Sequence, residues 1–261
     1  MAPRFLTFVS GYPERPGQWW APGPIVGDTR EIVAASLATI IAPGHTALLT
    51  VEVQRGVVGD DSLVPPLAAA VAAGNVLERI AHLCTRARAV DVPVLHCTAE
   101  SRPDGLGSNH NARLFALARR AGPTPSAGMS GAGMSSAGMS SAGMSSGAGA
   151  SGVHPSIGVE PADFVLSRLH GLSPMAGTSL DPILRNLGIT TIVATGVSVN
   201  VALLGLAFDA VNRGYQLVLA RDATAGIGDD YVDAVYANTL SLLATITTAD
   251  AVVDAWSRAP G

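Results

Sequence analysis

With 261 residues, 48% of them hydrophobic and only 14% charged, the chain is long enough for one large domain with a substantial core and does not demand two. A formal net charge of −4 argues against a nucleic-acid partner, which calls for a basic face. All 16 basic residues are arginine, so mechanisms that need a lysine Schiff base, a lysine general base or a phosphate-loop lysine are excluded.

In chain order, the opening MAPRFLTFVSGYPERPGQWW lacks the apolar stretch and small-residue cleavage site of a signal peptide. No later stretch reaches the about 18 uninterrupted apolar residues of a membrane span. Thr46 to Val53, TALLTVEV, is an apolar strand broken by one acid, Glu52. Leu67 to Ala89 has helical periodicity, and Pro93 to Thr98, PVLHCT, is a second strand. Asn109 to Ala121 reads as helix. From about Gly122 to Gly152 the chain repeats AGMSS-like units with no aromatic and no charge, which reads as a flexible insertion in one domain that spans 1–261.

After the repeat, Asp163 to Arg168 is a strand, Ser179 to Leu187 a helix stopped by Gly188, and Thr190 to Gly196 a strand. Val199 to Asn212 is a helix stopped by Gly214, Tyr215 to Arg221 a strand, and Asp229 to Ala244 a helix. Near-continuous Val/Ile/Leu strands alternating with helices predict a parallel sheet covered on both faces, a doubly wound, Rossmann-like α/β sandwich of three layers. In such sheets the binding crevice lies beyond the carboxyl ends of the strands.

Those ends carry the candidate chemistry. Burial should raise the Glu52 carboxyl unless a cation compensates, which makes it a candidate acid. Arg168 can pair with Glu52 or clamp an anionic substrate with its planar fork, but it cannot shuttle protons. Backbone N–H groups where the strand ending at Gly196 meets the next helix, around Ser198, Val199 and Asn200, form an anion or oxyanion site. Gly196–Asn200 is similar to a G-x-S-x-G nucleophile elbow, yet Asn200 replaces the last glycine and no histidine follows His170, so the serine-hydrolase order cannot be completed. Cys97 ends the second strand beside His96, which faces the opposite way on an extended backbone; it is either an alternative thiol nucleophile or an inert core residue. No H-x-x-x-H, C-x-x-C or Asp-rich loop exists, so no metal and no cofactor is expected. Cys84 and Cys97 make no disulfide framework, and free thiols fit a cytoplasmic protein.

Three segments, TALLTVEVQRGVVG from Thr46, SRLHGLSPMAGTSLDPILRNLGI from Ser167 and TTIVATGVSVNVALLGLAFDAVNRGYQLVLARDATAG from Thr190, resemble the isochorismatase-like hydrolases, the cysteine hydrolase family. The resemblance implies a parallel six-stranded sheet and a pocket at the strand ends, often near a subunit interface, hence a homo-oligomer. Amidase-type members of that family use an Asp, a Lys and a Cys. The acid of their D-x-Q pattern corresponds here to Glu52 in Glu52-Val53-Gln54, the cation upstream of G-T-x-L to Arg168, and the cysteine to Ala202, with Val199 at a position that is usually Thr. Ala202 cannot form an acyl-enzyme. The metal-ligand histidines of nicotinamidase-type members have no counterpart in GVVGDDSLVPP. Isochorismatases proper need no cysteine, because an acid protonates the enol ether and water completes hydrolysis. The expectation is therefore a hydrolase of a small anionic metabolite, acting on a vinyl ether or a C–N bond. Glu52 is its general acid or base, and Arg168, Gln54 and His170 orient substrate. A catalytically degenerate ligand-binding or scaffold protein, and an amidase with its thiol at Cys97, stand as alternatives. An active acid further predicts that Arg168 turns away from Glu52, because direct contact lowers the carboxyl pKa.

Overall fold

Thr46–Val51 (β1) is buried at every position, as is Thr191–Val197 (β4), the mark of strands covered on both faces. The computed structural model describes residues 36–60, 62–102, 104–116 and 152–258. Val94–Ala99 (β2), Phe164–Arg168 (β3), Gln216–Ala225 (β5) and Thr245–Thr247 (β6) complete a six-stranded sheet. Its order is β3-β2-β1-β4-β5-β6, with every pairing parallel. That is the doubly wound topology expected from the alternating pattern. The order in which strands are added reverses between β1 and β4, the switch point at whose carboxyl ends sheets of this kind place their binding crevice.

Alternate strand residues feed two cores. On one face Leu48, Val193 and Val218 pack with Pro65–Ala73 (α1), Val76–Ala89 (α2) and Ala249–Arg258 (α3). On the other, Leu49, Val51, Ile192 and Leu219 pack with Leu180–Asn186 (α4), Leu204–Asn212 (α5) and Asp229–Val235 (α6). Each fully buried aliphatic side chain contributes about 1.5–3 kcal/mol. Among the described residues no single helix is long and apolar enough to cross a membrane.

Several element limits differ from the sequence pattern, each for a local reason. The Leu67–Ala89 pattern is two helices, because Asn75 takes a left-handed conformation (φ 50°) and bends the chain. β1 stops at Val51, because Glu52 is itself left-handed (φ 53°). Helix in the Asn109–Ala121 span is seen only over 113–116, and residues 117–121 lie outside the described set. The Asp229–Ala244 helix is interrupted by a π-helical turn, Tyr236–Leu240. The three-residue β6 is too short to leave a periodic signal. The repeat, apart from its last residue, and the Trp19–Trp20 pair lie outside the described residues.

Candidate active site

The junction at β1 and β4 is shaped by a close approach. Gly196 lies in β4 opposite Val51 with φ 101°, and a Cβ there would stand 2.8 Å from the Val51 nitrogen and overlap its carbonyl. Only glycine fits both constraints. The Val197–Ser198 peptide that follows is cis. One π-helical turn, Val199–Leu203, then leads into α5.

Glu52 stands at the carboxyl end of β1, where its N–H donates to the Cys97 carbonyl (2.8 Å). Arg168 ends β3, two strands away, and its side chain is only 4% exposed. The two meet: Arg168 Nη2 donates a short hydrogen bond to Glu52 Oε1 and a second, of 3.1 Å, to the Leu172 carbonyl. Arg168 Nε and Nη1 are buried with no hydrogen-bond partner among the described residues. Burial pushes the Glu52 carboxyl up, and this outweighs the charge and hydrogen bond of Arg168, which pull it down. The expectation that Arg168 would turn away from Glu52 is therefore corrected. The pair is in contact, and the carboxyl is nevertheless held above its ordinary range, because desolvation is the larger effect.

The remaining candidates divide. Ala202 and Val199 are buried in the same core as Val51 and Cys97, and Ala202 offers no nucleophile. Ser198 and Asn200 are half-buried, and Asn200 Oδ1 has no hydrogen-bond partner among the described residues. Cys97 is 2% exposed, and burial pushes its thiol up to about 12, with Arg168 opposing and Glu52 adding to the shift. Such a thiol supplies almost no thiolate at neutral pH, which disfavours it as a nucleophile. His96 faces the other way, as the strand alternation required, and pairs with Thr50 and Asp163. Gln54, expected to contact substrate, instead spends its amide on backbone. Its Oε1 accepts from the Ala99 N–H (2.7 Å), and its Nε2 donates to the Ala99 carbonyl (2.9 Å). His170 is exposed beside Gly177 and makes no hydrogen bond to the Glu52–Arg168 pair. Sequence reasoning missed Leu172 and Ala99, which act through backbone groups that residue type does not reveal. Among the described residues no cluster of three or more His, Cys, Asp or Glu side chains can hold a metal ion.

A parallel six-stranded sheet of this order is also the fold of the solved structures this chain resembles. The isochorismatase domain matches residues 46–251, and the chain belongs to this family, whose members are hydrolases. The isochorismatase family protein YwoC of Bacillus subtilis is 34% identical over 76 residues, a match that spans 29% of this chain and 40% of that relative. Among solved structures, an isochorismatase family protein from Burkholderia thailandensis shares 25% identity at a TM-score of 0.60, covering 82% of this chain and 96% of its own. A cysteine hydrolase from Pseudomonas syringae pv. phaseolicola shares 20% identity at a TM-score of 0.66, over 85% and 96%. An N-carbamoylsarcosine amidase from Thermoplasma acidophilum shares 22% at a TM-score of 0.56, over 79% and 97%. The last two likenesses carry the fold.

Proposed function

We propose that this protein hydrolyses a small anionic metabolite, at a vinyl-ether or C–N bond, without a cysteine nucleophile. Glu52 delivers a proton to the substrate, water adds to the activated carbon and returns one proton to the Glu52 carboxylate, and the adduct then collapses with cleavage of its C–O or C–N bond, its hydroxyl proton leaving with the departing alcohol or amine. Arg168 holds Glu52 through Nη2 and offers its remaining donors to a substrate anion. The N–H groups around Ser198–Ala202 supply oxyanion contacts. The observation that carries this reading is a carboxyl in contact with an arginine that keeps two buried, unpartnered nitrogens, the carboxyl being pushed above its ordinary range by burial. A buried donor left unmade costs about 1–3 kcal/mol, which a carboxylate ligand would recover. Exposed apolar side chains in the loop after Arg168, Leu169 and Leu172, and on α5, Phe208 and Val211, support a homo-oligomer, and the free thiols of Cys84 and Cys97 fit a cytoplasmic location.

The test is a hydrolysis screen over carboxylate-bearing enol ethers and amides. Turnover should fall by at least about a hundredfold in Glu52→Gln, the usual worth of a positioned acid or base. Cys97→Ala should retain it. A second reading, a degenerate member that binds a ligand or serves as a scaffold, is favoured by Ala202 and by the direct Arg168–Glu52 contact. Under that reading no compound turns over, and Glu52→Gln changes stability alone.

A further inference from the structure

β1 ends at Val51, yet its neighbour β2 continues to Ala99. The Glu52 backbone turns left-handed, and the Gln54 N–H closes a tight turn on the Glu52 carbonyl at 2.9 Å. Ala99 would thus face β1 with an N–H and a carbonyl that no strand residue meets. The Gln54 side chain takes that place, accepting from the N–H at 2.7 Å and donating to the carbonyl at 2.9 Å. Gln54 is 1% exposed, so both bonds are made away from solvent. The Ala99 carbonyl shares its peptide unit with the Glu100 N–H, and that N–H donates to the Arg168 carbonyl at 2.9 Å. Ala99 is also the register partner of Arg168. One rigid peptide plane is therefore gripped on one edge by the residue two places after Glu52 and on the other by the backbone of Arg168.

We propose that Gln54 is a positioning residue, whose amide locks the end of β2 so that Glu52 and Arg168 are held in contact across two strands. The inference rests on reading Glu52 and Arg168 as the working pair. It does not require that their substrate be known. Removing the amide leaves the N–H and carbonyl of half-buried Ala99 without these partners. The Ala99–Glu100 plane then tilts and loosens the Arg168 backbone, although Leu172 still holds the guanidinium. The charged group facing Glu52 is Arg168, which lowers its pKa; Glu52 in turn raises the titration of the neighbouring Cys97 thiol.

The experiment is a carbon-detected titration of the Glu52 carboxyl in full-length protein labelled at its six glutamates. Three proteins are compared: wild type, Gln54→Met and Arg168→Met. Gln54→Met keeps the length of the side chain and removes both bonds. It should shift the Glu52 titration upward by about one pH unit, toward that of Arg168→Met, because an opposite charge has moved away while burial persists. A merely structural loss would lower the unfolding midpoint and leave the Glu52 titration where it is in wild type, and that result overturns the proposal. Should Gln54→Met fail to fold, Gln54→Asn carries the same measurement and the same two outcomes, since its amide ends one methylene short of Ala99. The readout needs no substrate. A protein that hydrolyses nothing in the screen would still give the shift, and an active one would still be free to withhold it.

Discussion

A carboxyl at the end of an apolar strand has two ways to stay in the fold: it can keep its proton, or it can keep a cation. Glu52 does both in part. Arg168 lies against it, and burial still wins, so the folded protein holds the Glu52 proton more tightly than the unfolded chain does at its ordinary value of 4.5. The sign of the pH dependence follows from linkage. Between pH 4.5 and the higher folded pKa, the unfolded state has released the proton and the native state has not. Stability therefore falls as pH rises through that window, by about 1.4 kcal/mol for each unit of separation. Glu52→Gln cannot titrate, and its amide oxygen still accepts from Arg168. Urea unfolding of both proteins from pH 4 to pH 8 should show the variant gaining on wild type by on the order of 1 kcal/mol as pH rises. Parallel curves would show that Glu52 has an ordinary pKa in the fold and is no poised acid.

At the scale of elements, the strand–turn–helix unit from β4 into α5 forms the junction beside the end of β1. The unit works only because β1 and β4 come within backbone contact at Gly196, opposite Val51. Gly196→Ala would drive a methyl into the Val51 carbonyl and force an alanine to φ 101°. Overpacking and left-handed strain together should cost about 3 kcal/mol or more, read as a lower urea midpoint or as insoluble expression. Gly44, where an added Cβ would meet nothing within 4 Å, is the control that should tolerate alanine with little change. This unit was also the most legible part of the chain. A Val/Ile-rich run ending in Thr195-Gly196, followed by 14 residues of helical pattern and Gly214, marks strand, junction and helix stop in the residues themselves, while the close approach at Gly196 shows only in the assembled sheet. The break at Asn75 was not legible, because one residue in a left-handed conformation leaves the apolar period on either side unchanged. Nor was β6, whose pairing with β5 at Val218–Ala220 comes from the sheet rather than from its own three residues.

Over the whole molecule, strand order brings Glu52 and Arg168, 116 residues apart, to one end of the sheet, and the sequence carried that much through its alternating pattern. What it could not carry was which polar groups would pair, because Gln54 and Arg168 look equally suited to a ligand. Pairing depends on distances that only the assembled layers fix. The same holds for a second polar construction, which crosses the other core and ties α2, β1 and β2 to the entry of β3. Arg88 donates to Asp163 at 2.6 Å, the Glu160 N–H at 2.7 Å, and His96 bridges Asp163 to the Thr50 hydroxyl. Burial pushes the Asp163 carboxyl up, but the hydrogen bonds of His96, Arg88 and the Glu160 N–H together hold it well below its ordinary 3.8. Here the linkage has the opposite sign to that of Glu52: the stabilisation is fully present above pH 3.8 and is lost as pH falls toward the depressed folded value. Asp163→Asn removes one partner of a part-buried ion pair and weakens its hydrogen bonds, so it should cost about 1–3 kcal/mol at pH 7. The deficit should narrow on acidification to pH 3, because wild type loses there what the variant never had. Denaturant unfolding of both proteins across that range measures it. A deficit that stays constant with pH would mean that Asp163 supports the β3 entry through shape and neutral hydrogen bonds, not through its charge.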